Sequence, residues 1–181
     1  MNRRTLLLAP LGIAAVAGVA FTVLLRRMGE GRYDPRGLPS VLIGKRLPAF
    51  ALPGVHGDGF SDADIAAVRR PVLVNFFASW CAPCVEEAPV LADVSQAGVP
   101  IWGIAYKDQP DATDAFLARH GNPYVRLARD QPGLVAIDWG VTGVPETFLI
   151  DAEAIVRWRL ADPLSPQIVE HELQPLLRKY V

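Results

Sequence analysis

The chain holds two cysteines, Cys81 and Cys84, separated by Ala82 and Pro83. Two residues of spacing put both side chains on one helical face, within disulfide reach. A single pair builds no disulfide framework. Metal binding is equally disfavoured, because His56, His120 and His171 stand singly and far from the pair, short of the roughly four ligands a structural zinc site takes. No metal is expected, and no cofactor beyond a redox-active Cys81–Cys84 disulfide. The chemistry that remains is exchange: a Cys81 thiolate attacks a disulfide, a mixed disulfide forms, and Cys84 displaces the reduced product. A passive bridge is the alternative, but one closing so short a loop contributes little stability.

Such a thiolate needs positive potential beside it. Val72-Leu73-Val74-Asn75-Phe76-Phe77 is apolar on both faces and predicts a buried central strand. Val90, Leu91, Val94 and Ala97 form a helical stripe ended by Gly98. Cys81 therefore falls in the turn between strand and helix, where free backbone amides and the helix dipole favour its ionised form. Pro83 fits a first helical turn, where its missing N–H costs nothing.

Further elements follow in alternation. Leu47 to Phe60, with two prolines and three glycines, reads as short strands joined by a turn. A second buried strand covers Ile101 to Ala105, a helix Asp111 to Arg119, a short strand Tyr124 to Ala128 and a short helix Leu134 to Trp139. Thr147 to Ile150 and Ile155 to Leu160 form an antiparallel hairpin turned at Asp151 to Ala154, and Pro166 to Lys179 closes as a helix. The fold class is α/β, with a mixed sheet of about five strands flanked by helices.

With 51% hydrophobic and 20% charged residues, the chain has the composition of one globular domain plus an appendage. Its formal net charge of −1 gives no electrostatic reason to expect nucleic acid as a partner. The appendage is Thr5 to Leu25, an uncharged and mostly apolar run between Arg3-Arg4 and Arg26-Arg27, long enough to span a bilayer core of about 30 Å. A cleaved secretory signal is the competing reading, but its apolar core runs only about 7 to 15 residues, so a retained anchor is favoured. Basic residues flank both ends and leave orientation open. The resulting division is a cytoplasmic tip at 1–4, a transmembrane anchor at 5–25, a Gly- and Pro-containing linker at 26–40 and a folded domain at 41–181.

Trp80-Cys81-Ala82-Pro83-Cys84 after the Val-Asn-Phe-Phe strand, Pro89 in the first helix, and Val144-Pro145 before a later strand together resemble the thioredoxin superfamily across most of 41–181. The resemblance implies that Pro145 is a cis proline beside the cysteines. It also implies that the backbone of Val144 pairs with an extended substrate, with Trp80, Ala82 and Pro83 completing the substrate-binding rim. Tyr106-Lys107-Asp108, Gly121-Asn122-Pro123-Tyr124 and Gly140 to Asp151 narrow the likeness to the periplasmic cytochrome c maturation proteins of the CcmG or DsbE group. For that group the implied activity is reduction of the disulfide in the CxxCH motif of apocytochrome c. Electrons would come from a membrane thiol carrier of the CcdA or DsbD type. The implied location is the inner membrane, with the catalytic domain in the periplasm alongside the cytochrome c maturation machinery.

Asn75 departs from general thioredoxin, which usually carries a buried acid in that strand to assist proton transfer. Asn does not titrate, and Glu87 and Glu146, which match acidic positions of the family, are the candidates to serve instead. Glu87 lies three residues after Cys84 and so on its face; Glu86 points round the helix and is the weaker candidate. A carboxylate about 6 Å from a thiolate disfavours it by roughly half to two pK units, which would raise the thiolate pKa and make the dithiol more reducing. Two other functions fit the same motifs: a general periplasmic disulfide reductase, and a non-catalytic peptide-binding module of cytochrome c assembly.

Overall fold

The structure is a computed structural model that describes residues 13, 16–26 and 40–180. The chain divides into two compact units, Met1–Leu38 and Pro39–Val181. In the first, residues 16–26 form helix α1 and expose Val19 and Phe21. Among the described residues no helix is long and apolar enough to cross a membrane. The expected span 5–25 is described only at 13 and 16–25, and the tip 1–4 and most of the linker lie outside the described residues.

The second unit is built on strand β3 (Val72–Phe77), every residue of which is buried. It occupies the middle of a five-stranded mixed sheet. β4 (Ile101–Tyr106) runs parallel to it on one side, followed by β5 (Tyr124–Asp130); β6 (Glu146–Ile150) runs antiparallel on the other, followed by β7 (Val156–Leu160). Helices α3 (Ala82–Gln96), α4 (Pro110–His120) and α5 (Leu134–Asp138) connect the strands. A continuous apolar run such as Val72–Phe77 is stable only with both faces covered, which is why it is central. One face is sealed by an aromatic cluster in which Trp139, fully buried, meets Phe50, Phe76 and Phe148 edge-on at 5.0–5.9 Å.

The expected strands between Leu47 and Phe60 are the two-residue pair β1 (Ala51–Leu52) and β2 (Phe60–Ser61), a separate antiparallel sheet. Helix α2 (Asp62–Ala67) was not anticipated, although Ser61 and Asp64 carry its signal. The Ser61 hydroxyl accepts the Asp64 N–H, and the Asp64 carboxylate accepts the Ser61 N–H at 2.8 Å, a capping box.

The closing helix departs from the single element expected at Pro166 to Lys179. It consists of α6 (Pro166–Ile168), a π-helical turn (Val169–Leu173) and α7 (Gln174–Tyr180). Pro175 explains the interruption: it has no N–H for the carbonyl four residues back, and its ring crowds that carbonyl. The chain widens immediately before it, with the Gln174 N–H donating five residues back to Val169.

Candidate active site

The turn carrying the cysteines is held from below by a carboxylate. Asp108, at the end of β4, is 3% exposed and accepts the Ser79 N–H at 2.6 Å, the Ser79 hydroxyl at 2.7 Å, the Gln109 N–H at 3.0 Å and the Thr113 hydroxyl at 3.2 Å. Trp80 adds a bond from its indole N–H to the Lys107 carbonyl at 3.4 Å. The Tyr106-Lys107-Asp108 run thus buttresses the loop that presents Cys81. Replacing Asp108 by Ala leaves the Ser79 N–H and hydroxyl without their acceptor. It is expected to cost roughly 1–3 kcal/mol in urea unfolding and to slow exchange; unchanged stability and rate would remove Asp108 from this role.

Cys81 is the N-cap of α3. Its Sγ accepts the Cys84 N–H at 3.2 Å, and the two sulfurs are joined in a disulfide with Cα atoms 5.3 Å apart. That N–H, together with the helix dipole, would favour a thiolate on Cys81 once the disulfide is reduced. Both cysteines are buried, in an apolar cluster with Phe77, Ala78, Ala105 and Phe116. Ala82 and Pro83 are exposed, and Trp80 is 60% exposed. The Val144–Pro145 peptide bond is cis, and half-buried Val144 packs against the cysteine cluster while Pro145 is buried. The rim residues Trp80, Ala82, Pro83 and Val144 therefore border one site, as their order in the sequence alone did not require.

Asn75 and Glu87 meet in the interior. Asn75 Nδ2 donates to Glu87 Oε1 and to the Thr147 hydroxyl, each at 3.0 Å, and the Glu87 Oε2 accepts the Leu164 N–H at 3.0 Å. Burial penalises the Glu87 anion more than these donors relieve it, and the carboxyl is pushed up to about 7. Glu86, on the same helix, is exposed.

Glu146 faces elsewhere. It is fully buried, but Arg159 Nε donates to its Oε1 at 2.5 Å, and Oε2 accepts the Thr142 N–H at 3.0 Å. The expectation named Glu87 and Glu146 together as acids opposing the thiolate. Their partners in the structure differ: Glu87 joins Asn75 and the Leu164 N–H in the interior, whereas Glu146 is bonded by Arg159 and Thr142. Sequence reasoning gave no role to Asp108, Tyr124 or Arg159. The first two stood in the motifs that carried the family likeness, while Arg159 left no signal, since its partner lies across a strand pair.

The AhpC/TSA family profile matches residues 43–159. The chain is 40% identical over 179 residues to the thiol:disulfide interchange protein DsbE of Escherichia coli K12, covering 98% of this chain and 96% of that protein. It is 43% identical over 145 residues to HelX, a thiol:disulfide interchange protein of Rhodobacter capsulatus, covering 80% and 82%. Among solved structures it is similar to a thioredoxin-family thiol:disulfide interchange protein of Chlorobium tepidum, with a TM-score of 0.60 and 27% identity over 75% of this chain and 94% of that one.

Proposed function

Because this chain belongs to the DsbE-type thiol:disulfide interchange proteins of the thioredoxin superfamily, and so is a thiol-disulfide oxidoreductase, we propose that it acts as a reductant of the CxxCH disulfide of apocytochrome c before haem attachment. The Cys81 thiolate attacks one sulfur of the substrate disulfide, and the other leaves as a thiolate and takes up a proton. Cys84 then loses its proton to Glu87 and attacks Cys81 Sγ. The Cys81–Cys84 bond forms, the bond from Cys81 to substrate breaks, and the second substrate sulfur leaves with the electron pair and takes up a proton from water, while Glu87 returns the Cys84 proton to solvent. The substrate gains two electrons and two protons, and the enzyme ends as the disulfide seen in the structure.

In this reading a membrane thiol carrier of the CcdA or DsbD type reduces the disulfide again, and the segment 5–25 anchors the domain on the periplasmic side of the inner membrane. One observation carries the reading: an N-capping cysteine bordered by the exposed Trp80–Pro83 rim and by Val144 of a cis-proline loop. An extended peptide laid along Val144 would bring its own sulfur to Cys81.

Replacing Cys84 by Ser tests this, because without a resolving thiol the substrate stays on Cys81. The expected catch in cells is apocytochrome c, released by reductant. A broad set of unrelated oxidised proteins would instead indicate a general reductase. Full cytochrome c assembly in a Cys81→Ser, Cys84→Ser double variant would indicate a binding module.

A further inference from the structure

Gly121-Asn122-Pro123-Tyr124 has no part in the exchange steps above, yet its last residue reaches the interior of the site. The Asn122 side-chain oxygen accepts the Tyr124 N–H at 3.0 Å, and the Pro123 carbonyl accepts the Ser95 hydroxyl of α3 at 3.0 Å, so the motif turns the chain and ties it to the cysteine-bearing helix. The Tyr124 ring stacks on Phe77 at 4.8 Å between centroids and lies over Gly103, where a Cβ would come within 2.7 Å of Tyr124 Cγ. Glycine at 103 is what makes room for the ring. At its tip, the Tyr124 hydroxyl donates to Asn75 Oδ1 at 2.8 Å.

That bond acts on Glu87 through the Asn75 amide. Asn75 is fully buried, and its two amide hydrogens and its oxygen each have one partner: Glu87, Thr147 and Tyr124. Neither hydroxyl chooses between the two amide orientations, since Thr147 and Tyr124 both donate and accept. Glu87 chooses by its own protonation, and its anion needs Nδ2 facing it, as observed. In that orientation the Tyr124 O–H donates to Oδ1 and polarises the amide, so that Nδ2–H donates more strongly to the Glu87 carboxylate.

We propose that Tyr124 is a positioning residue for disulfide exchange: its hydroxyl, donating to Asn75 Oδ1, strengthens the Nδ2–H bond to Glu87 and so favours the anionic form that takes the proton from Cys84. The inference rests on Glu87 serving as that base. The groups bonded to Glu87 are Asn75 from β3 and the Leu164 N–H from the segment before α6; Thr147 of β6 and the Tyr124 phenol of β5 act on it across Asn75, and Cys84 lies three residues before it on the same helix. Glu146 adjoins Thr147 on β6, and its carboxylate bonds Arg159 and Thr142 rather than this group.

Without the hydroxyl, Asn75 Oδ1 is a buried acceptor that has lost its donor, the amide is less polarised, and its Nδ2–H holds the Glu87 anion more weakly. Tyr124→Phe is therefore expected to raise the pH at which Glu87 releases its proton by roughly half to one unit. The reduced full chain would be mixed with an aromatic disulfide whose thiolate absorbs visible light, and release of the second thiolate, which reports attack by Cys84, followed from pH 5 to 9. The inflection of that step should move up in Tyr124→Phe and move down when a fluorinated tyrosine, a stronger donor of the same shape, is placed at 124. Loss of packing would not give opposite shifts. Glu87→Gln should abolish the inflection. An inflection that disappears in Glu87→Gln but stays in place in both Tyr124 variants overturns the role of Tyr124 alone; an inflection that survives Glu87→Gln overturns the base and Tyr124 together.

Discussion

Replacing Arg159 by Met is expected to cost about 3–5 kcal/mol of folding stability, because it strands the Glu146 carboxylate without its counter-charge in the interior. The glutamate is 0% exposed and the arginine side chain 7%, with Nε and Oε1 2.5 Å apart. A surface pair of the same composition would be worth under about 1 kcal/mol. The difference is desolvation: both charges have been taken out of water, so removing one leaves the whole penalty of the other. Replacing both, as Glu146→Gln with Arg159→Met, should recover most of the loss, since neither side chain then carries a buried charge. Urea unfolding of the two single variants and the double variant gives the coupling directly. A loss below about 1 kcal/mol for Arg159→Met would mean that water reaches Glu146 and that the pair acts as a surface one. The same variant should also slow exchange. Glu146 directly follows the cis Pro145 and holds the Thr142 N–H, so an unanchored carboxylate loosens the loop that carries Val144.

The contrast between the two glutamates shows what the sequence could and could not tell. Glu87 was legible because helical spacing is local: three residues beyond Cys84 on a helix means the same face. Its burial and its bond to Asn75 follow from that one fact and from β3 being central. Glu146 was also legible as a site candidate, adjacent to Pro145, but not as a buried one. What pairs with it is Arg159, 13 residues on and across the β6–β7 pair, in a register that shifts between Leu149 and Ile150. No count along the chain reveals a diagonal partner when the ladder slips. The central strand, the hairpin and the cysteine turn were readable for the opposite reason: each is signalled by a continuous apolar run or a short spacing. Helix α2 was missed although Ser61 and Asp64 announced it, and the π-helical turn was missed because the helix expected over Pro166 to Lys179 takes no account of Pro175, which leaves a carbonyl one turn back without its N–H.

Glu87 also leads to an expected pH dependence of stability. Its carboxyl is raised from 4.5 to about 7 by burial, so between those values the folded protein binds a proton that the unfolded chain does not. Stability is then greatest below pH 4.5, falls as the pH rises through this window, and levels off above about 7. A gap of that size corresponds to roughly 3 kcal/mol. Glu87→Gln removes the ionisation. The glutamine oxygen can accept from only one of Asn75 Nδ2 and the Leu164 N–H, so the variant carries a fixed penalty, but that penalty does not vary with pH. Subtracting the two stability curves isolates the titration from every other group in the protein. Oxidised wild-type protein should lose roughly 3 kcal/mol more than Glu87→Gln between pH 4.5 and 8. Parallel curves would mean that the carboxylate is ionised at no net cost, and therefore that Asn75 and Leu164 solvate it as well as water does. A base that cheap to ionise would sit near the ordinary carboxylate range and draw little driving force to remove the Cys84 proton at neutral pH. The burial that weakens the fold is, on this account, the same feature that tunes the acid to the pH at which exchange takes place.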